Sequence, residues 1–187
     1  MKSGKKEFID PLTFYRDSFR LAQKIYKDGF YPNFLIGIWR GGTPPGIIIQ
    51  EFFKYKNLGN MKHIAVRTER YRRIGETNKK VDIFGLGYVI DTVTHEDKML
   101  IVDDVFDEGI TIKKLIEEIK HRARKNTPRD IRVATVYYKP SQNKTEIKPH
   151  YSIHETDKWV VFPHELEGLT TEELEKKDPE IAKITRD

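Results

Sequence analysis

Two aspartates, Asp103 and Asp104, stand side by side directly after the apolar run Met99-Leu100-Ile101-Val102, and Asp107-Glu108-Gly109-Ile110-Thr111 follows closely. Adjacent carboxylates repel one another, so their presence at a strand end implies compensation by paired hydroxyls, by a cation, or by both. The Glu108–Thr111 turn leads into Ile112, Leu115, Ile116 and Ile119, whose spacing predicts an amphipathic helix over Thr111–Arg124. A turn at a helix start presents backbone N–H groups and the positive helix end to an anion. One short loop thus combines acceptors for sugar hydroxyls with donors for a phosphate. For the two aspartates alone, an ordinary acidic turn with Asp107 or Thr111 as helix cap is the simpler reading. The whole run, apolar strand, Asp-Asp and Asp-x-Gly-x-Thr, points instead to a ligand that carries both sugar hydroxyls and a phosphate.

A second anion-binding candidate is Ile36-Gly37-Ile38-Trp39-Arg40-Gly41-Gly42. Two glycines let backbone amides approach an anion closely, and Arg40 supplies charge. Standing alone, the same residues would read as an ordinary strand-to-helix turn. Lys139 leaves the apolar run Val133–Tyr138, and Trp159 opens Trp159-Val160-Val161-Phe162. Taken singly, these two are a surface lysine and a packed tryptophan. The six His have neither a His-Glu-x-x-His arrangement nor zinc spacing. Gly85-Leu86-Gly87 lacks the third glycine and following helix of a dinucleotide fingerprint. With no Cys, disulfides, thiol catalysis and thiolate metal sites are excluded. The basic stretch His121–Lys125 falls near a helix end, where cations complement the macrodipole.

These residues require strands to deliver them. Phe34–Ile38, His63–Val66, Met99–Val102, Ile131–Tyr138 and Lys158–Phe162 are short apolar runs that read as strands. Val81–Ile90 alternates as a strand or hairpin, interrupted by Gly85 and Gly87. Asp10-Pro11 caps and opens a helix that Gly29 ends, and Thr43-Pro44-Pro45 opens another through Tyr55. Thr170 with Glu173 forms a capping-box pattern, and Asp178-Pro179 starts a further turn of helix. Strands alternating with helices predict an α/β fold with a mainly parallel, doubly wound sheet, whose ligands lie at the carboxyl ends of strands. The 187 residues, with neither repeat nor linker, are expected to form one domain, 1–187. Apolar residues make up 37% and charged residues 34%, and no apolar run approaches the ~20 residues of a membrane span. A soluble, cytoplasmic protein is expected. The net charge of +5 admits phosphates of any kind, nucleotides and nucleic acid alike.

Met99–Thr111 resembles the phosphoribosyl-pyrophosphate (PRPP) signature of the type I phosphoribosyltransferases, and the resemblance covers most of Phe34–Glu165. It implies the fold of that family, with a small hood built from terminal segments. Asp103 and Asp104 would take the ribose hydroxyls and, directly or through water, Mg2+. Asp107 would be the general acid/base at purine N7, and Asp107, Glu108, Gly109, Ile110 and Thr111 the 5′-phosphate cradle. Trp39, Arg40 and Gly41 are similar to the family's pyrophosphate loop, which implies a cis peptide between Trp39 and Arg40. Lys139 matches the lysine that reads the C6 oxygen in purine-using members. The Lys158–Glu165 segment is similar to the base-holding segment of the xanthine/guanine/hypoxanthine enzymes, with Trp159 stacking and Val160 contacting the base through its main chain.

The implied reaction joins a 6-oxopurine to PRPP, giving a nucleoside 5′-monophosphate and pyrophosphate, in a homodimer or homotetramer. There are two departures. Glu108 stands where most members have Thr or Ser, and places a carboxylate beside a phosphate. The mobile loop's Ser-Tyr pair is reduced to Tyr71 within Arg67–Arg73, a stretch whose simplest reading is a solvated basic loop. Two rivals stay open: a regulator that keeps the PRPP pocket but binds nucleic acid or a protein partner, and the same fold acting on a non-purine base. Asp107, Lys139 and Trp159 together favour the enzyme, and nucleic acid is not expected as its partner.

Overall fold

The computed structural model describes residues 6–71 and 80–186. Its elements in chain order are β1 (Lys6–Phe8), α1 (Pro11–Lys27), β2 (Phe34–Trp39), α2 (Thr43–Tyr55), β3 (Lys62–Tyr71) and β4 (Lys80–Phe84). These are followed by α3 (Leu86–Thr92), β5 (Lys98–Phe106), α4 (Ile110–Ala123), β6 (Asp130–Tyr138), β7 (Tyr151–Glu155), β8 (Trp159–Val161), α5 (Thr171–Lys177) and α6 (Pro179–Ile184). The chain divides into two compact units.

The larger unit, Tyr15–Asp157, is built on a six-stranded sheet ordered β4-β3-β2-β5-β6-β7. Every pairing in it is parallel except β3 with β4. β2 is buried from Phe34 to Ile38 and β5 from Met99 to Val102, as strands covered on both faces must be. On one face, Phe34, Ile36 and Ile101 pack with Val89 of α3 and Ile112, Leu115 and Ile119 of α4. The apolar spacing read from the sequence therefore delivers α4 onto the sheet. The fully buried Asp17 of α1 lies 2.6 Å from His154 Nε2 of β7 and receives Arg20 at 2.5 Å, so its charge is hydrogen-bonded.

The smaller unit joins the two termini, its described residues being 6–14 and 158–186. β1 pairs with β8 in a separate parallel two-stranded sheet. The capping box is present, with Thr170 Oγ1 accepting from Glu173 N and Glu173 returning the bond to Thr170 N. Asp178 caps α6 by accepting from Glu180 N and Ile181 N. A mainly parallel sheet in one unit and a second unit made from terminal segments fit the fold class that the resemblance implied.

Four local readings change. The Val81–Ile90 stretch is a strand only to Phe84. Gly85 then turns with φ +87°, and Leu86, Val89 and Val93 bury at helical spacing. Asp103 and Asp104 lie inside β5, not in a loop beyond it, because the ladder with β6 continues to Phe106. β3 extends past Val66 to Tyr71, since β4 pairs with Arg67–Tyr71 beyond the end of β2. The predicted fifth strand at Trp159 belongs to the small sheet, and β1 and β7 carried too little periodicity to be read in advance.

Candidate active site

The carboxyl end of β5 carries the acid pair. Asp104 is buried, and its Oδ1 accepts from Val105 N at 2.7 Å, while Asp104 N donates to Asp103 Oδ1 at 3.0 Å. Burial pushes the Asp103 carboxyl well above the usual carboxylate range, and the neighbouring Asp104 charge pushes it further. This is the electrostatic cost expected of two adjacent acids.

The glycine loop lies against that pair. A Cβ on Gly41 would stand 2.2 Å from Asp104 Oδ2, so a larger residue here would have to displace that carboxylate. Gly42 N donates to Ile38 O at 2.8 Å, and Thr43 caps the turn by donating from N and Oγ1 to Arg40 O. The peptide between Trp39 and Arg40 is cis, as the resemblance implied. Trp39 and Arg40 are exposed. The structure thus brings Gly41 to Asp104, a juxtaposition between residues more than sixty positions apart that neither stretch announces alone.

After β5 the chain turns through Gly109, with φ +74°, into α4. Because Gly109 is the N-cap, no side chain caps the helix, and the first-turn N–H groups are left for another acceptor. A Cβ on Gly109 would meet Phe106 and Thr145 Oγ1 at 2.7 Å, so this turn is tightly enclosed. Asp103, Asp107, Glu108, Gly109, Ile110 and Thr111 line a cavity of about 80 Å³ here.

Asp107 and Lys139 are brought together: Lys139 Nζ lies 3.5 Å from Asp107 Oδ2. Lys139 N also donates to Phe106 O at 2.9 Å, which fixes the end of β6 against the end of β5. Glu108 is held by hydrogen bonds from Lys144 and Arg70. The Lys144 bond, with Arg70 adding to it, keeps the Glu108 carboxyl below its ordinary range. The carboxylate that looked repulsive beside a phosphate is therefore paired with two cations. Arg70 and Lys144 were not among the site residues read from sequence. Their distance from Glu108 along the chain leaves only the unlike charges as a signal.

The stretch Arg67–Arg73 is not a solvated loop over its described part. Arg67 stacks over Phe84 at 4.7 Å from the ring centre and pairs with Glu69 at 2.5 Å. Tyr71 ends β3 opposite Lys80; its side chain, like Arg72 and Arg73, lies outside the described residues. In the smaller unit, Trp159 is 58% exposed on β8 while Val160 is buried. Trp159 is therefore not a core residue of its own unit, and Lys6 Nζ lies 5.8 Å from its ring centre.

No helix among the described residues is long and apolar enough to cross a membrane. Residues 7–168 match the family described as Phosphoribosyl transferase domain. Over 63 residues the chain is 36% identical to the hypoxanthine-guanine phosphoribosyltransferase of Lactococcus lactis, a match spanning 34% of this chain and about a third (32%) of that relative's length. Among solved structures, a purine phosphoribosyltransferase from Pyrococcus horikoshii is similar with TM-score 0.66 and 27% identity, over 88% of this chain and 97% of that one. A hypothetical protein from Neisseria gonorrhoeae with bound ppGpp shares the fold over 100% of both chains, with TM-score 0.75 and 21% identity. The chain is a member of the phosphoribosyl transferase domain family, with its resemblance on the purine side of the type I enzymes.

Proposed function

We propose that the chain, acting as a single domain, is a purine phosphoribosyltransferase that moves the 5-phosphoribosyl group of PRPP onto a 6-oxopurine and releases pyrophosphate. The observation that carries this reading is the Asp107–Lys139 pair at 3.5 Å, beside the uncapped start of α4. A phosphate cradle needs no titratable acid there, and a lysine at the same place gives that acid a partner that can also donate to a base oxygen.

In this reading Asp103 and Asp104 accept the ribose hydroxyls, and the first turn of α4 donates to the 5′-phosphate. The loop Trp39–Gly41 receives the pyrophosphate, whose departure leaves an oxocarbenium-like sugar; donors held in place there act where negative charge develops. Asp107 handles the proton at purine N7. Mg2+ fits the residues present. No group of three or more His, Cys, Asp or Glu among the described residues could hold a metal. Asp103 and Asp104 would hold the ion, directly or through water, and PRPP oxygens and water would supply its other ligands, as Mg2+ prefers. When bound, the ion offsets the charge of the carboxylates and of the leaving pyrophosphate.

Pyrophosphate release should be measured with hypoxanthine, guanine and xanthine, and with uracil as the non-purine control. Turnover with at least one purine, abolished when Mg2+ is omitted, is expected. Turnover only with uracil would move the enzyme to another base, and no turnover with any base would favour the regulator.

Trp159 offers a second check. Its exposure means that Trp159→Ala should leave the melting temperature nearly unchanged. Affinity for the purine nucleoside monophosphate should fall by about 1–3 kcal/mol, the scale of base–aromatic stacking. Isothermal titration of both proteins with inosine monophosphate decides it: equal affinities would remove Trp159 from the base site.

A further inference from the structure

Glu108, Arg70 and Lys144 form an ionic cluster at the loop that lines the α4 cavity. Arg70 comes from β3, yet it lines the same cavity as Asp107, Gly109 and Thr111. Its Nη2 donates to Glu108 Oε2, and Lys144 Nζ donates to Glu108 Oε1, so each carboxylate oxygen has a cation. Lys144 N also donates to Glu108 O at 3.0 Å, tying the two segments through the backbone. The three side chains together carry one net positive charge.

A guanidinium has five N–H donors in a planar fork, so one bond to Glu108 leaves others for an incoming oxyanion. An arginine on a long flexible stem loses rotamer freedom when it binds. A carboxylate that already holds it removes part of that loss before the anion arrives. Two cations around one carboxylate also offset the repulsion that a lone Glu108 would exert on a phosphate.

We propose that Arg70 is a ligand of the 5′-phosphate and that Glu108, braced by Lys144, is its positioning residue. This rests on the phosphoribosyl reading of the loop and adds to it a cation from a different strand. It also accounts for a glutamate at a place where the resemblance implies a small hydroxyl residue. The hydroxyl would bond the phosphate itself, whereas the glutamate brings an arginine to it.

The test is calorimetric titration of PRPP, with Mg2+ present, into wild type, Arg70→Gln, Arg70→Lys, Glu108→Gln and the Arg70→Gln/Glu108→Gln double variant. Steady-state KM and kcat are measured in parallel. Arg70→Gln should weaken PRPP binding roughly tenfold or more, the scale of a charge-assisted hydrogen bond. The loss should fall on KM for PRPP more than on kcat, should shrink at high salt, and should be partly restored in Arg70→Lys. Glu108→Gln should also weaken binding, yet add nothing in the Arg70→Gln background, because it acts through Arg70. Wild-type affinity in Arg70→Gln overturns the proposal while leaving the proposed function intact. Tighter binding in Glu108→Gln overturns it too, since the carboxylate would then compete with the phosphate. If wild type binds no PRPP, the phosphoribosyl reading falls with it.

Discussion

Asp107→Asn is expected to lower kcat by ~10²–10⁴-fold, the usual contribution of a general acid/base, with a smaller change in KM for PRPP. Asn keeps the size of the side chain and can still accept a hydrogen bond from Lys139, so the 3.5 Å contact has a neutral counterpart. What Asn cannot do is exchange a proton at N7. The effect on stability should be small. The Asp107 side chain is 47% exposed, and exposed ion pairs contribute at most about 1 kcal/mol. A helix-capping role would also survive, because Asn caps about as well as Asp. Pre-steady-state turnover and thermal melting of the same preparation separate these possibilities. If turnover in Asp107→Asn equals wild type, the acid/base is another group.

The residues of the site were legible where the chemistry is local. Asp103 to Thr111 is one continuous stretch, in which an apolar strand, two acids and a helix start follow in order, and each has its own sequence signal. The same holds for Asp10, Thr170 and Asp178, whose caps depend on residues two or three positions away. What was not legible depends on distant segments meeting. Arg67–Tyr71 has the composition of a solvated loop, and it becomes strand only because β4 supplies a partner for its backbone. Glu108 reads as a liability until Arg70 and Lys144 arrive from elsewhere in the chain. The helix at Leu86 was hidden by alternation in the preceding strand, and only the positive φ at Gly85 separates the two periods. Trp159 has the bulk of a core residue yet is exposed, opposite Lys6 of the three-residue β1, a strand too short to carry a periodic signal.

In the proposed function the glycine loop joins pyrophosphate binding to stability at the strand ends. A Cβ on Gly42 would stand 2.1 Å from Val102 O, 2.7 Å from Ile38 N and 2.9 Å from Ile38 O. These are backbone atoms of β5 and β2, the two central strands, so no side chain can rotate away to make room. Gly42→Ala must separate the loop from the strands, and it strains the Gly42 N to Ile38 O bond that closes the turn. Overpacking in a well-packed interior costs about 1–3 kcal/mol, and a clash with backbone on both sides belongs at the upper end. At about 2–4 °C per kcal/mol for a chain of this size, the melting temperature should fall by roughly 6–12 °C. Gly87→Ala is the matched control with the opposite sign. Gly87 lies in α3, has no positive φ, and would place its Cβ with nothing within 4 Å. Alanine there should stabilise by about 0.5–1 kcal/mol through helix propensity, raising the melting temperature by roughly 1–4 °C. Thermal melts followed by circular dichroism would read both variants against wild type. A Gly42→Ala protein that melts with wild type would mean that the loop has room for a side chain, and the close approach of Gly41 and Gly42 to β5 would lose its part in shaping the proposed pyrophosphate site.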